Sequence, residues 1–278
     1  MYKLIACDLD ETLLGTGGVL PEANVDAIVR ARKAGVKFVP ASGRGYRSMD
    51  KMLKDLGVWD LPEEYVISFN GGAVTENKDS RLLHFQGLPY DLACRLFERG
   101  LDYDVCIHVY TRDKVYVFRL NEEEKNYVGG RMEIIECSEK NLDFLKGQTI
   151  VKVLFENTDV PYLEQIASEM EDLTGPLDVS YSSNRYLEFN QGGVNKGSGL
   201  KFLAEYLGCS LDECIAIGDN SNDLSMIQEA GMGVGVKNSA EAIKPFCNYI
   251  TQADNNHGAV AEVIDKFIFG KDPQPQKD

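Results

Sequence analysis

What most constrains this chain is a rhythm at both of its ends: a short apolar run, a turn of acids or hydroxyls, then an amphipathic helix. Residues 4–7 (Leu-Ile-Ala-Cys) read as a buried strand that stops at Asp8. Residues 22–34 carry Val25, Ile28 and Val29 at helical spacing, with Gly35 as the C-cap. Residues 36–39 are the next strand, and residues 46–56 place Met49, Met52, Leu53 and Leu56 on one helical face before Gly57. Residues 65–69 read as a third strand. The pattern returns with a helix over 196–207, a strand over 214–217, a helix over 222–230, a strand over 232–236 and a closing helix over 259–269. Strands alternating with helices predict an α/β core, a Rossmann-like parallel sheet covered by helices.

The middle of the chain breaks that rhythm. Strand-like residues 105–110 and 114–119 flank Thr111-Arg112-Asp113, and 177–181 and 185–189 flank Ser182-Ser183-Asn184, two hairpin signals. Helical patterns lie at 90–101 and 160–173. This mixture predicts an antiparallel α+β domain, residues 82–190, inserted into an α/β core made of 1–81 and 191–270. The tail 271–278 (Lys-Asp-Pro-Gln-Pro-Gln-Lys-Asp) has a disordered composition.

With 278 residues, 44% of them hydrophobic, the chain can build one large or two moderate domains with real cores. Its 44 acids outnumber 29 Lys and Arg, for a net charge of −15 and a pI near 4.7. Such a surface repels polyphosphate backbones, so nucleic acid is not an expected partner. No run of about 18 apolar residues is present, so no membrane helix is expected. The N-terminal apolar stretch is too short for a signal peptide. The seven cysteines (7, 94, 106, 137, 209, 214 and 247) show neither CxxC nor ligand-like spacing. They read as buried thiols of a reducing, cytoplasmic setting.

Four segments carry chemistry. Asp8-Leu9-Asp10-Glu11-Thr12 follows the first strand, where ligands of open α/β sheets bind. Two acids so close repel unless a cation or proton lies between them, and Mg²⁺ suits carboxylates, phosphate and retained water. An acidic turn without function also fits this run taken alone. Gly218-Asp219-Asn220-Ser221-Asn222-Asp223 again sets acids at a strand end; one acid serves as a helix cap, whereas two acids and two amides exceed that need. Ala41-Ser42-Gly43-Arg44 offers a hydroxyl and backbone amides to phosphate oxygens, though Ser-Gly turns are common for purely structural reasons. Lys196 opens a helix, where its charge opposes the dipole unless an anion is near.

Taken together, these segments resemble the haloacid dehalogenase superfamily of phosphotransferases. The first motif, Asp-x-Asp-x-Thr, matches Asp8, Asp10 and Thr12; the second matches Ser42, the third Lys196, and the fourth Gly218, Asp219, Asn222 and Asp223. The inserted domain and the Asn-Asp ending look like the Cof-type branch (subclass IIB, C2-capped). So do Asn70-Gly71-Gly72, Gly193-Val194-Asn195-Lys196-Gly197 and Asn256-His257-Gly258-Ala259-Val260. Two positions depart from the pattern: Glu11, where the branch usually has glycine, and Gly72, where alanine is usual.

The resemblance implies a mechanism. Asp8 is the nucleophile that forms an aspartyl-phosphate, and Asp10 is the acid and then the base. Asp8, the main-chain carbonyl of Asp10, and Asp219 hold Mg²⁺. Ser42, Lys196, Asn222 and the N–H groups of Leu9 and Gly43 hold phosphate oxygens. Asp223 steadies Lys196 or the metal's water shell; Thr12, Arg44 and Asn70 support the site. The inserted domain would act as a cap that sets substrate choice, with residues 182–185 as candidates, although hairpin chemistry explains them equally. The implied activity is a Mg²⁺-dependent phosphatase of small phosphorylated metabolites, sugar phosphates foremost, cytoplasmic and apart from membranes. A phosphomutase of sugar phosphates shares this core. A catalytically silent phosphometabolite-binding regulator is the reading from outside catalysis, and the intact set Asp8, Asp10, Lys196 and Asp219 argues against it.

Overall fold

The computed structural model describes residues 1–271; the tail named above lies outside them from residue 272 onward. The chain divides into two compact units, one of residues 1–84 with 195 onward, the other Phe85–Val194. The division falls a few residues later than the pattern suggested, because the strand Arg81–Phe85 continues the first unit's hairpin.

In the first unit a parallel sheet runs in the order Tyr249–Ile250, Met232–Gly235, Cys214–Gly218, Leu4–Cys7, Lys37–Pro40. Leu4, Ile5, Ala6 and Cys7 have no exposed surface, so this strand is covered on both faces and reads as continuous apolar sequence rather than an alternation. Helices Glu22–Lys33, Lys196–Leu207, Leu224–Glu229 and Ala259–Phe267 complete the α/β pattern. The strand order reverses between Leu4–Cys7 and Cys214–Gly218. That is the switch point at which open α/β sheets bind ligands, beyond the carboxyl ends of the strands. Asp8 and Asp219 are the next residues after these two strands.

The third strand differs from the expectation. Tyr65–Ser68 meets the parallel sheet through the single bridge Ala41–Ile67 and instead pairs antiparallel with Ala73–Glu76, in a three-stranded sheet closed by Arg81–Phe85. The reversal follows from left-handed backbone at Phe69, Asn70 and Gly71, which turns the chain back on itself. Two expected helices are also shorter, each entered through a 3₁₀ turn: Tyr46–Met49 before Asp50–Asp55, and Ser221–Asp223 before Leu224–Glu229.

The second unit is a six-stranded sheet in the order Leu177–Ser182, Tyr186–Gln191, Ile150–Glu156, Cys106–Thr111, Val115–Phe118, Ile135–Cys137, antiparallel except for its last pair. Both hairpin signals mark real turns; Ser183 and Asn184 are left-handed (φ 53° and 50°). One sheet face supplies Ile107, Val109, Val153, Phe155, Leu187 and Phe189 to a core shared with helices Tyr90–Gly100 and Val160–Glu169. The alternate residues His108, Lys152, Glu156 and Glu188 share the other face and are buried as well.

Their charges are paired within the unit. Lys152 bonds Glu188, which also accepts from the Ser182 hydroxyl. Arg185 stands 3.0 Å from Glu156 and 3.2 Å from Glu124, and Tyr186 donates to Glu124 at 2.6 Å. His108 Nε2 lies 3.2 Å from Glu124. Ser182 is therefore held by Glu188 within the hairpin, and Arg185 by Glu124 and Glu156 from neighbouring elements of the same unit. Among the described residues no helix is long and apolar enough to cross a membrane, and all seven cysteines are free thiols.

Candidate active site

Everything in this site belongs to the first unit. Asp8 is almost fully buried and its N–H donates to the Ile217 carbonyl at 2.9 Å, which ties the first acidic turn to the neighbouring strand. Lys196 is the first residue of its helix and has no exposed surface. Its ammonium donates to Asp8 Oδ1 and, at 2.6 Å, to Asp223 Oδ1. The second oxygen of Asp223 accepts the N–H groups of Asp219 (2.9 Å) and Asn220 (3.1 Å), so one carboxylate anchors both the lysine and the turn. Gly218 makes room for this: a Cβ there would lie 2.4 Å from that of Asp223. Thr12, fully buried, donates to Asp219 Oδ1 at 2.7 Å.

Asp8, Asp219 and Asp223 each present a ligand oxygen, and these oxygens lie within 4.8 Å of one another. Three carboxylates face one ammonium, so ionising them all leaves two negative charges unmatched. Burial, then the Asp223 charge, pushes the Asp8 carboxyl up to about 7 despite Lys196. Burial and Asp8 hold the Asp219 carboxyl well above the carboxylate range. Burial works against the Lys196 ammonium, but Asp223 and Asp8 outweigh it and hold its pKa above the ordinary lysine value. A hard divalent cation fits this all-oxygen set, since it would supply the missing charge.

The other expected residues surround that cluster or stand beside it. Ser42 is buried; its N–H donates to the Ile67 carbonyl (2.9 Å) and its hydroxyl accepts the Arg44 N–H (3.2 Å). Gly43 follows in the same turn, half-buried, and the Leu9 side chain is fully buried between the two acids of the first motif. Asn222 is half-buried in the Ser221–Asp223 turn. Asn70 is buried, with φ 53°, and its N–H donates to the Ser42 carbonyl at 3.0 Å.

Asp10 is partly exposed, and its carboxylate is held by the guanidinium fork of Arg44, Nε to Oδ2 at 2.9 Å and Nη2 to Oδ1 at 2.5 Å. The sequence placed both residues at the site without pairing them. Glu11 has φ 63°, which accounts for glycine being usual there.

Side chains that sequence reasoning had not singled out pin the first motif from the C-terminal end. Asn238 Nδ2 donates to the Glu11 carbonyl at 2.8 Å, and Asn255 Nδ2 to the Leu14 carbonyl at 2.9 Å. Asn255 lies beside the Asn256-His257-Gly258 motif, whereas nothing in the sequence marked Asn238. Of the remaining histidines, His257 pairs with Asp254 at 2.5 Å and His84 packs on the Phe202 ring.

Acids closing the two central strands at the switch point, with a buried lysine bonded to Asp8 and Asp223, define a class. The chain belongs to the haloacid dehalogenase-like hydrolases, whose family model matches residues 5–264, and it is an enzyme of that family. Among individual relatives, Bacillus subtilis (strain 168) YxeH, provisionally named a phosphatase, is 29% identical over 98% of this chain and all of its own. A haloacid dehalogenase-like hydrolase from Bacteroides thetaiotaomicron is 30% identical, with a TM-score of 0.79 over 96% of this chain and 99% of its own. BT4131, described as a subclass IIB sugar phosphatase, superposes with a TM-score of 0.83 over 97% of this chain and 99% of its own, at 19% identity; that likeness is one of fold.

Proposed function

We propose that this hydrolase is a Mg²⁺-dependent phosphatase of small phosphorylated metabolites, sugar phosphates foremost, working through an aspartyl-phosphate on Asp8. The observation that carries the reading is the convergence of Asp8, Lys196, Asp219 and Asp223, from three distant segments, on one buried carboxylate cluster. Asp8, Asp219 and the main-chain carbonyl of Asp10 would hold the Mg²⁺. When bound, Mg²⁺ supplies the positive charge that lets a carboxylate approach a phosphate dianion.

The chain's own groups account for the rest. Ser42, Lys196, Asn222 and the N–H groups of Leu9 and Gly43 hold the phosphate oxygens in line with Asp8. The Asp8 carboxylate attacks phosphorus, the P–O bond to the alcohol breaks, and Asp10 gives its proton to the departing oxygen. Asp10 then takes a proton from water, which attacks the aspartyl-phosphate and returns Asp8 with inorganic phosphate. Arg44 holds both Asp10 oxygens in this structure, so Asp10 takes up its proton and acts only after it leaves that fork, and Asp223 keeps Lys196 aimed.

Free thiols and a net charge of −15 favour a cytoplasmic enzyme that does not act on nucleic acid. The test is a panel of sugar phosphates and other phosphate esters, assayed for inorganic phosphate with Mg²⁺ and with a chelator. Magnesium-dependent phosphate release, greatest with sugar phosphates, is expected. An isomerised sugar phosphate without phosphate release would indicate a mutase, and ester binding without turnover would indicate a regulator; either overturns the reading.

A further inference from the structure

The first turn of the lysine helix is crowded by backbone from two other segments. A Cβ on Gly197 would stand 2.8 Å from the carbonyl carbon and oxygen of Ser225; one on Gly199 would stand 2.7 Å from Ile67 Cγ2 and 3.1 Å from Gly71 Cα. Gly71 is the tightest point. Its φ is 92°, and a Cβ there would stand 2.0 Å from the Asn195 carbonyl oxygen and 2.8 Å from the carbonyl carbon. No side chain fits against that backbone without moving it.

The same loop holds the hydroxyl turn. Asn70 N–H donates to the Ser42 carbonyl at 3.0 Å and Phe69 N–H to the Arg44 carbonyl at 2.9 Å. Phe69 and Asn70 adopt left-handed backbone (φ 52° and 53°) so that these two amides and Gly71 point to opposite neighbours. One short loop thus grips the Ser42 turn by hydrogen bonds and abuts the start of the Lys196 helix by direct backbone contact.

We propose that Gly71 is a positioning residue for phosphate binding: its bare Cα sets the separation between Ser42 and Lys196. The proposal rests on the phosphatase reading, because both residues matter there as holders of phosphate oxygens. A push on the Asn195 carbonyl passes directly to Lys196, since the Asn195–Ser198 capping box makes the helix start rigid. The lysine has three N–H donors; Asp8 and Asp223 take two, and the third is the one to be aimed at phosphate. A displacement of about 1 Å at such a site costs on the order of 10²-fold in rate.

The experiment compares wild type with Gly71→Ala, using p-nitrophenyl phosphate turnover with Mg²⁺ and calorimetric titration with inorganic phosphate. Wild-type turnover tests the phosphatase reading by itself; phosphate affinity tests the role of Gly71 whether or not turnover is seen. In a Gly71→Ala protein whose circular dichroism matches wild type, KM and the phosphate Kd rise together by about fivefold or more. A phosphate Kd within about twofold of wild type in that folded variant overturns the proposal. If Gly71→Ala does not fold, Gly199→Ala presses on the same contact with ordinary backbone geometry. A raised phosphate Kd in that variant supports the proposal, and an unchanged one overturns it.

Discussion

At the scale of the residue, the carboxylate cluster decides both chemistry and stability. Asp8→Asn keeps the shape and removes the proposed nucleophile, so kcat is expected to fall by about 10³-fold or more while the fold persists; retained turnover would refute the assignment. The same residue carries a pH dependence. Its folded carboxyl titrates near 7 against an ordinary 3.8, so the folded state keeps a proton that the unfolded chain releases. Stability from this group is full below pH 4 and is lost as pH rises toward 7. With a chelator present, wild type therefore melts lower at pH 7.5 than at pH 5, and Asp8→Asn shows a smaller difference; equal slopes would contradict this. Glu11 pays for its left-handed backbone, which glycine adopts freely. Glu11→Gly gains up to about 1 kcal/mol in a thermal melt with turnover kept, part of the strain relief being offset by glycine's unfolded-state entropy.

At the scale of the element, the lysine helix is specified mainly at its start. Asn195 accepts the Ser198 N–H at 2.9 Å and Ser198 Oγ accepts the Asn195 N–H at 3.1 Å, a closed capping box. Asn195→Ala costs about 1 kcal/mol of stability. Because Lys196 is the next residue, the variant also raises the KM for a phosphate ester; an unchanged KM would mean that the cap serves the fold alone. The strands behind the site are governed differently. Leu4–Cys7 and Cys214–Gly218 are buried along their whole length, and their chemistry begins where the apolar run ends. That is why the acids at their ends were legible.

At the scale of the whole molecule, each unit has its own core, one built on Leu4, Ala6, Leu200 and Ala216, the other on Phe97, Ile107, Val153 and Phe155. The second unit adds a buried charge network that depends on Arg185. Removing that guanidinium strands Glu124 and Glu156 in a buried setting, at a cost of about 3–5 kcal/mol. Arg185→Ala is therefore expected to give an early melting transition confined to residues 85–194, while the first unit melts as in wild type. A single transition at the wild-type temperature would show that the network carries no such weight.

Patterns that are local in the chain were readable without coordinates. Apolar runs, helical spacing and glycine stops located most strands and helices, and residue chemistry after strands marked Asp8, Ser42 and Asp219, as a charge at a helix start marked Lys196. The strand Ile150–Glu156 went unread because Lys152 interrupts its apolar pattern and no short turn joins it to a partner; its identity comes from pairing with Cys106–Thr111 and Tyr186–Gln191. The antiparallel turn after Ser68, the Arg44 fork on Asp10, and the contact of Gly71 with Asn195 likewise needed the folded chain. Composition and periodicity report what one segment prefers. Which distant segments meet, and which carboxylate a cation faces, is decided only when packing brings them within a few ångströms.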